Sequence, residues 1–153
     1  MIFDTYYDLK NEDETLCLAK KMANFLHPGM HLYLKGELGA GKTSYVRGLL
    51  RGLGYEDKVK SPTYTLLESY TFKKFTVYHF DLYRFKDPSE WEDAGFRELV
   101  NNHSVCFIEW PEKAGGILPQ PDIAITLTHA PFGRKIHLMA YTIKGMECLK
   151  NII

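Results

Sequence analysis

The sequence lacks an excess of charge of either sign: nineteen Lys and Arg side chains face nineteen Asp and Glu over 153 residues. A free-standing nucleic-acid binder normally carries a net positive field, so direct DNA binding is not expected. Cysteine is sparse, with Cys17, Cys106 and Cys148 far apart and free of any C-x-x-C spacing. That pattern argues against a disulfide frame or a cysteine zinc site and points to a reducing compartment, the cytoplasm. No uncharged stretch approaches the roughly 20 residues needed to span a bilayer, and Met1-Ile2-Phe3-Asp4 has neither the basic start nor the apolar run of a secretory leader. A membrane role is not expected. The histidines (27, 31, 79, 103, 129 and 137) form no H-E-x-x-H or other ligand spacing, so each is read as a surface or core residue. There are no internal repeats, and the length suits one domain over residues 1–153.

Glycine, by contrast, is concentrated where it matters. Gly36-Glu37-Leu38-Gly39-Ala40-Gly41-Lys42-Thr43 fits G-x-x-x-x-G-K-[ST], with an apolar strand (His31 to Lys35) before it and an amphipathic helix (Ser44 to Leu53) after it. Glycines at 36, 39 and 41 free the backbone for left-handed turns, so that successive N–H groups converge on phosphate oxygens at a helix N-terminus. Lys42 is then expected to neutralise the β- and γ-phosphates and Thr43 to coordinate Mg²⁺, with Ala40 and Ser44 completing the nucleotide contacts.

Residues 2–7 read as a strand, and Asn11 with Glu14 forms a capping box for a helix that ends near Pro28-Gly29. Ser61-Pro62-Thr63-Tyr64 is a loop placed where a switch segment would stand, with Thr63 able to sense phosphate or metal. Two strands, Leu66 to Phe72 and Thr76 to Tyr83, form a hairpin, and a third, Val105 to Ile108, is apolar throughout. Asp81 and Glu109 stand at strand ends, the edge at which open α/β sheets bind ligands, so both are expected beside the phosphate loop. An acidic helix opens at Asp87-Pro88-Ser89, residues 113–120 read as a loop, a second hairpin joins strands around 123–127 and 136–140, and 145–152 form a terminal helix. Arg47, Arg51, Lys58 and Lys60 make a small basic cluster, a solvated face or a docking surface. The fold class is α/β: a three-layer phosphate-loop NTPase-like fold with a mixed parallel and antiparallel central sheet flanked by helices.

Four blocks in one order, the phosphate loop, Lys60-Ser-Pro-Thr-Tyr-Thr65, His79-Phe-Asp-Leu-Tyr-Arg84 and Ile108-Glu-Trp-Pro111, resemble the bacterial TsaE (YjeE) family over nearly the whole chain. The resemblance implies an ATPase needed for the threonylcarbamoyl modification of adenosine 37 in ANN-decoding tRNAs. It also implies the TsaB and TsaD proteins as partners, with tRNA reached through their complex. Carried onto matching positions, it gives Lys42 and Thr43 to phosphate and Mg²⁺, Glu109 to the metal's surroundings, Asp81 to hydrolysis and Thr63 to a switch-like loop. It adds nucleotide contacts at Glu12, Gly133 and Arg134, the last against adenine, and makes Trp110 a reporter of occupancy. On the residues alone, Asp81 and Glu109 compete for the roles of metal ligand and water activator; the resemblance favours Glu109 as the ligand.

A small phosphate-loop metabolite kinase would add an arginine-bearing lid, whereas the arginines here (47, 51, 84, 97 and 134) are scattered. A GTPase would carry N-K-x-D after the cradle, which is missing. A nucleotide-gated adaptor that binds without needing to hydrolyse stays open.

Overall fold

The computed structural model describes all residues, 1–153. Seven strands form one sheet in the order β1-β7-β6-β2-β5-β4-β3. The strands are β1 (Phe3–Leu9), β2 (His31–Lys35), β3 (Leu67–Thr71), β4 (Thr76–Asp81), β5 (Ser104–Glu109), β6 (Ile123–His129) and β7 (Arg134–Ala140). The four strands β6, β2, β5 and β4 run parallel, while β3 and β7 pair antiparallel at the flanks. β1 pairs antiparallel with β7 and therefore points the same way as β6. One edge of the sheet thus collects the C-terminal ends of five strands. It also collects the start of β7, because Leu9 and His129 both lie opposite Arg134.

Helices α1 (Glu12–Ala23), α2 (Lys42–Gly52) and α4 (Ile143–Ile152) lie over one face, where Leu32, Leu34, Phe107, Ile125 and Leu138 meet Met22, Leu49 and Leu149 in the larger core. The other face is thinner. Tyr33, Phe80, Cys106 and Ile108 are covered there by Trp91 of the short α3 (Glu90–Asp93) and Phe96 of a 3₁₀ turn (Phe96–Leu99). The result is the expected three-layer mixed-sheet architecture. β5 is buried over its whole length because both layers cover it, which is why its middle, Val105 to Ile108, is continuously apolar rather than alternating.

α1 and α2 touch through small residues. A Cβ on Gly48 would stand 2.6 Å from the Ala19 Cβ, and one on Gly52 2.6 Å from the Ala23 Cβ. Two glycines four apart face two alanines four apart, so the backbones of the two helices come close. α1 starts as its capping box requires, with the Asn11 side chain accepting from Glu14 N and Glu14 Oε1 accepting from Lys10 N. It stops at Ala23, short of Pro28-Gly29.

Residues 111–117 form a 3₁₀ segment rather than a loop, opened by Trp110 in the left-handed region and by Pro111 at the first helical position. Within the basic cluster, Arg47 pairs with Glu12 at 2.8 Å and Arg51 donates to the carbonyls of Tyr55 and Asp57 at 2.7 Å each, while Lys58 and Lys60 are exposed. Those carbonyls lie in the connection that follows α2. No helix is long and apolar enough to cross a membrane.

Candidate functional site

The connection from β2 to α2 crosses the collecting edge of the sheet. Gly36, Gly39 and Gly41 take φ values of 145°, 78° and 107°. The constraint differs along the loop. A Cβ on Gly36 would strike the Leu127 carbonyl oxygen at 2.5 Å, whereas one on Gly39 or Gly41 would meet nothing within 4 Å. At the latter two positions the left-handed backbone alone requires glycine, and the space above the loop is open.

A cleft of about 240 Å³ lies there, lined by Leu38, Gly39, Gly41, Lys42, Thr43, Ser44, Thr63, Asp81, Glu109 and Trp110. Register explains the convergence. Asp81 and Glu109 are paired residues on the parallel strands β4 and β5, and Leu34, one residue before the end of β2, is opposite Glu109. Lys42 begins α2 nearly buried, and its ammonium donates to the carbonyls of Gly36 and Glu37 while lying 4.4 Å from the centre of the Trp110 ring. Burial pulls its pKa below the usual lysine value, and the charges of Glu109, Asp81 and Glu112 oppose that shift.

The two carboxylates are held differently. Asp81 accepts from Tyr83 N at 3.0 Å through one oxygen and from the Thr63 hydroxyl at 3.4 Å through the other. Burial raises its pKa, the Tyr83 amide lowers it, and the nearby Glu109 charge raises it again. Glu109 is buried and accepts through Oε2 from His79 Nε2 at 2.5 Å. Thr63 in turn shares a 2.8 Å hydrogen bond with Ser61, so the S-P-T-Y loop is linked to Asp81.

A second cleft of about 260 Å³ continues along the loop, lined by Asn11, Glu12, Thr15, Gly39, Gly41, Ser44, Gly133 and Arg134. It shares Gly39, Gly41 and Ser44 with the first, so the two form one trough. Glu12 reaches Ser44 Oγ at 3.4 Å as well as Arg47. The Arg134 guanidinium donates to the carbonyls of Ala40 at 3.2 Å and Gly39 at 3.0 Å, bracing the loop from above. Gly133 is required beneath it: its φ is 74°, and a Cβ would lie 2.0 Å from the Leu9 carbonyl oxygen.

The family model described as "Threonylcarbamoyl adenosine biosynthesis protein TsaE" matches residues 9–136, from the end of β1 into β7. The chain belongs to the TsaE family. TsaE is a family of tRNA threonylcarbamoyladenosine biosynthesis, and the matched span contains every residue of the trough. The Haemophilus influenzae tRNA threonylcarbamoyladenosine biosynthesis protein TsaE is 45% identical over 150 residues, 95% of this chain and 92% of that one. The Bacillus subtilis protein of the same name is 40% identical over 120 residues, 78% of this chain and 75% of its own length. The crystal structure of Bacillus subtilis YdiB superposes with a TM-score of 0.85 at 29% identity, covering 99% of this chain and 95% of that one.

Of the site residues expected, Glu12, Gly39, Gly41, Lys42, Thr43, Ser44, Thr63, Asp81, Glu109, Gly133 and Arg134 line the trough, while Gly36 lies outside it and meets the site through its carbonyl, which accepts from Lys42. Ala40 takes part through its carbonyl, which Arg134 holds. His79 is the residue that sequence reasoning missed. Its signal was available, since strand alternation puts it on the same face as Asp81, two residues on.

Proposed function

We propose that this protein binds ATP with Mg²⁺ in the trough and hydrolyses it slowly, in support of tRNA threonylcarbamoylation carried out with the TsaB and TsaD proteins. The convergence of Lys42, Thr43, Asp81 and Glu109 in one cleft beside three left-handed glycines carries this reading.

The residues fit the implied ligands. The open, Cβ-free ground above Gly39 and Gly41 suits a triphosphate, and the polar second cleft, bounded by Glu12 and Arg134, suits a nucleoside. Thr43 and Glu109 would hold the metal: an oxygen-rich pair suited to a hard cation. Bound Mg²⁺ would supply charge neutralisation at the triphosphate.

The chain's own residues do the remaining work. Lys42 exchanges its carbonyl partners for phosphate oxygens. Asp81, whose pKa burial raises, accepts a proton from the attacking water in this reading. Thr63 ties the condition of the S-P-T-Y loop to that carboxylate. No arginine lines the first cleft, and Arg134 is committed to the loop carbonyls. An arginine finger contributes about 10³–10⁵ in rate, so slow turnover by the isolated chain is expected, with the partner complex supplying or ordering what is missing.

The test is ATP hydrolysis with and without TsaB, TsaD and tRNA, alongside calorimetric ATP binding. Faster turnover with the complex supports the proposal; equal turnover removes the partner's catalytic role, and no heat of binding removes the nucleotide. The same missing arginine favours a second reading, a nucleotide-gated adaptor. Asp81→Asn separates the two, since an adaptor would keep tRNA modification when hydrolysis is lost.

A further inference from the structure

The buried histidine behind Glu109 has a task that the reading so far does not use. His79 is 0% exposed, on β4 between the core residues Val77 and Phe80 and the site residue Asp81. Its Nε2 lies 2.5 Å from Glu109 Oε2, while its Nδ1 is buried with no hydrogen-bond partner. A proton on Nδ1 would be sealed away from any acceptor, at a cost of about 1–3 kcal/mol. A proton on Nε2 is shared with a carboxylate. The ring therefore carries its proton on Nε2 and donates it.

We infer that His79 is the positioning residue for Glu109: its Nε2–H holds Oε2 and turns Oε1 toward the cleft, where the metal of the nucleotide complex would be met. The inference deepens, and rests on, the reading of the trough as an Mg²⁺-nucleotide site. The contrast with Asp81 supports it. Both oxygens of Asp81 are engaged by the chain, from Tyr83 N and Thr63 Oγ1, whereas His79 engages only one oxygen of Glu109. A ligand carboxylate needs one oxygen fixed and one presented, and partners that fix ligands in this way commonly change metal affinity by about 10–100-fold when removed. The neighbourhood leaves the ring little freedom, because its cross-strand neighbours are Phe107 on β5 and Glu68 on β3.

The experiment compares His79→Leu, which fills the space without a donor, with His79→Gln, whose amide nitrogen can reach the same oxygen. ATP binding is measured in EDTA and across a Mg²⁺ titration. Expected is a roughly tenfold or greater rise in the Mg²⁺ concentration required by the leucine variant, unchanged binding in EDTA, and recovery to within about threefold in the glutamine variant. An unchanged Mg²⁺ requirement in the leucine variant overturns the inference, as does equal loss in EDTA or a glutamine variant no better than leucine. A measurement on the unaltered protein guards against variants that fail to fold. Two-bond ¹H–¹⁵N correlation of the His79 ring, without nucleotide or metal, should show the Nε2–H tautomer, and an Nδ1–H tautomer overturns the inference. That spectrum does not depend on nucleotide binding, so failure of the Mg²⁺-ATP reading would be seen separately, as wild-type protein that binds no nucleotide.

Discussion

Replacing Gly48 by Ala tests whether close helix packing or helix propensity governs the element that carries the phosphate loop's lysine. In an exposed helix the change would add about 0.8–1 kcal/mol of stability, because alanine loses less backbone freedom on folding. Here the new methyl would lie 2.6 Å from the Ala19 Cβ and 2.9 Å from the Leu16 carbonyl oxygen. Ordinary carbon contacts are about 3.5–4.0 Å, so α1 and α2 must part by about 1 Å. Overpacking of this kind costs about 1–3 kcal/mol. The clash at least cancels the propensity, and the expected outcome is a net loss of up to about 2 kcal/mol, or up to about 8 °C in Tm for a domain of this size. Gly52→Ala meets the same geometry against Ala23 and Lys20 and should lose a similar amount. Because one parting of the helices relieves both clashes, the double variant should lose less than the sum of the two. Urea denaturation and scanning calorimetry of the three variants provide the numbers. A single variant that melts above the unaltered protein, or a double variant that loses the full sum, would refute the reasoning.

Lys42→Ala should weaken ATP binding at least tenfold by calorimetry, since no other cation lines the phosphate cleft. Asp81→Asn should reduce hydrolysis by roughly 10²-fold or more while leaving ATP affinity within about threefold. Because folding raises the Asp81 pKa, the folded protein holds this proton more tightly than the unfolded chain does. Its contribution to stability is therefore present at low pH and is lost as pH rises through the folded pKa. Asn at 81 should accordingly raise Tm at neutral pH and leave it unchanged in acid, where Asp81 is protonated in both states; a fall in neutral Tm would contradict the assigned cause. Activity that needs ionised Asp81 should likewise fall, on acidification, at a higher pH than an ordinary aspartate would dictate. Trp110 fluorescence should change as ATP saturates, as Lys42 leaves its place 4.4 Å from the ring centre. An invariant signal from a Trp91→Phe protein would show that the lysine does not move.

Much of this site was legible from local pattern. The glycines, Lys42 and Thr43 sit inside a strand–loop–helix unit whose periodicities are clear, and Asp81 and Glu109 close apolar strands, so parallel pairing alone brings them together. Glu12, Gly133 and Arg134 could be tied to the loop only through family likeness. Their adjacency depends on β1 and β7 meeting across most of the chain, and no local spacing encodes that. Trp110 was visible, but its left-handed conformation was not. A φ of 56° at a bulky residue costs about 1–2 kcal/mol, which the contacts of its ring with Lys42 and Tyr83 help to offset. That turn, together with Pro111, converts an expected loop into a 3₁₀ segment. His79 reads as an ordinary core histidine until the register places Glu109 beside it.

The place of β1 at the outer margin has a consequence for a chain still being synthesised. Its only sheet neighbour is β7, and Leu9 cannot find Arg134 until about seven-eighths of the 153 residues have been made. Residues 36–109 by then can already form the phosphate end of the trough, while Glu12 and the arginine that braces the loop have yet to face each other. Closing so large a circuit is entropically slow. A nascent or prematurely ended polypeptide would thus own the glycine loop but not the wall formed by Gly133 and Arg134, and the second cleft would stay open on that side.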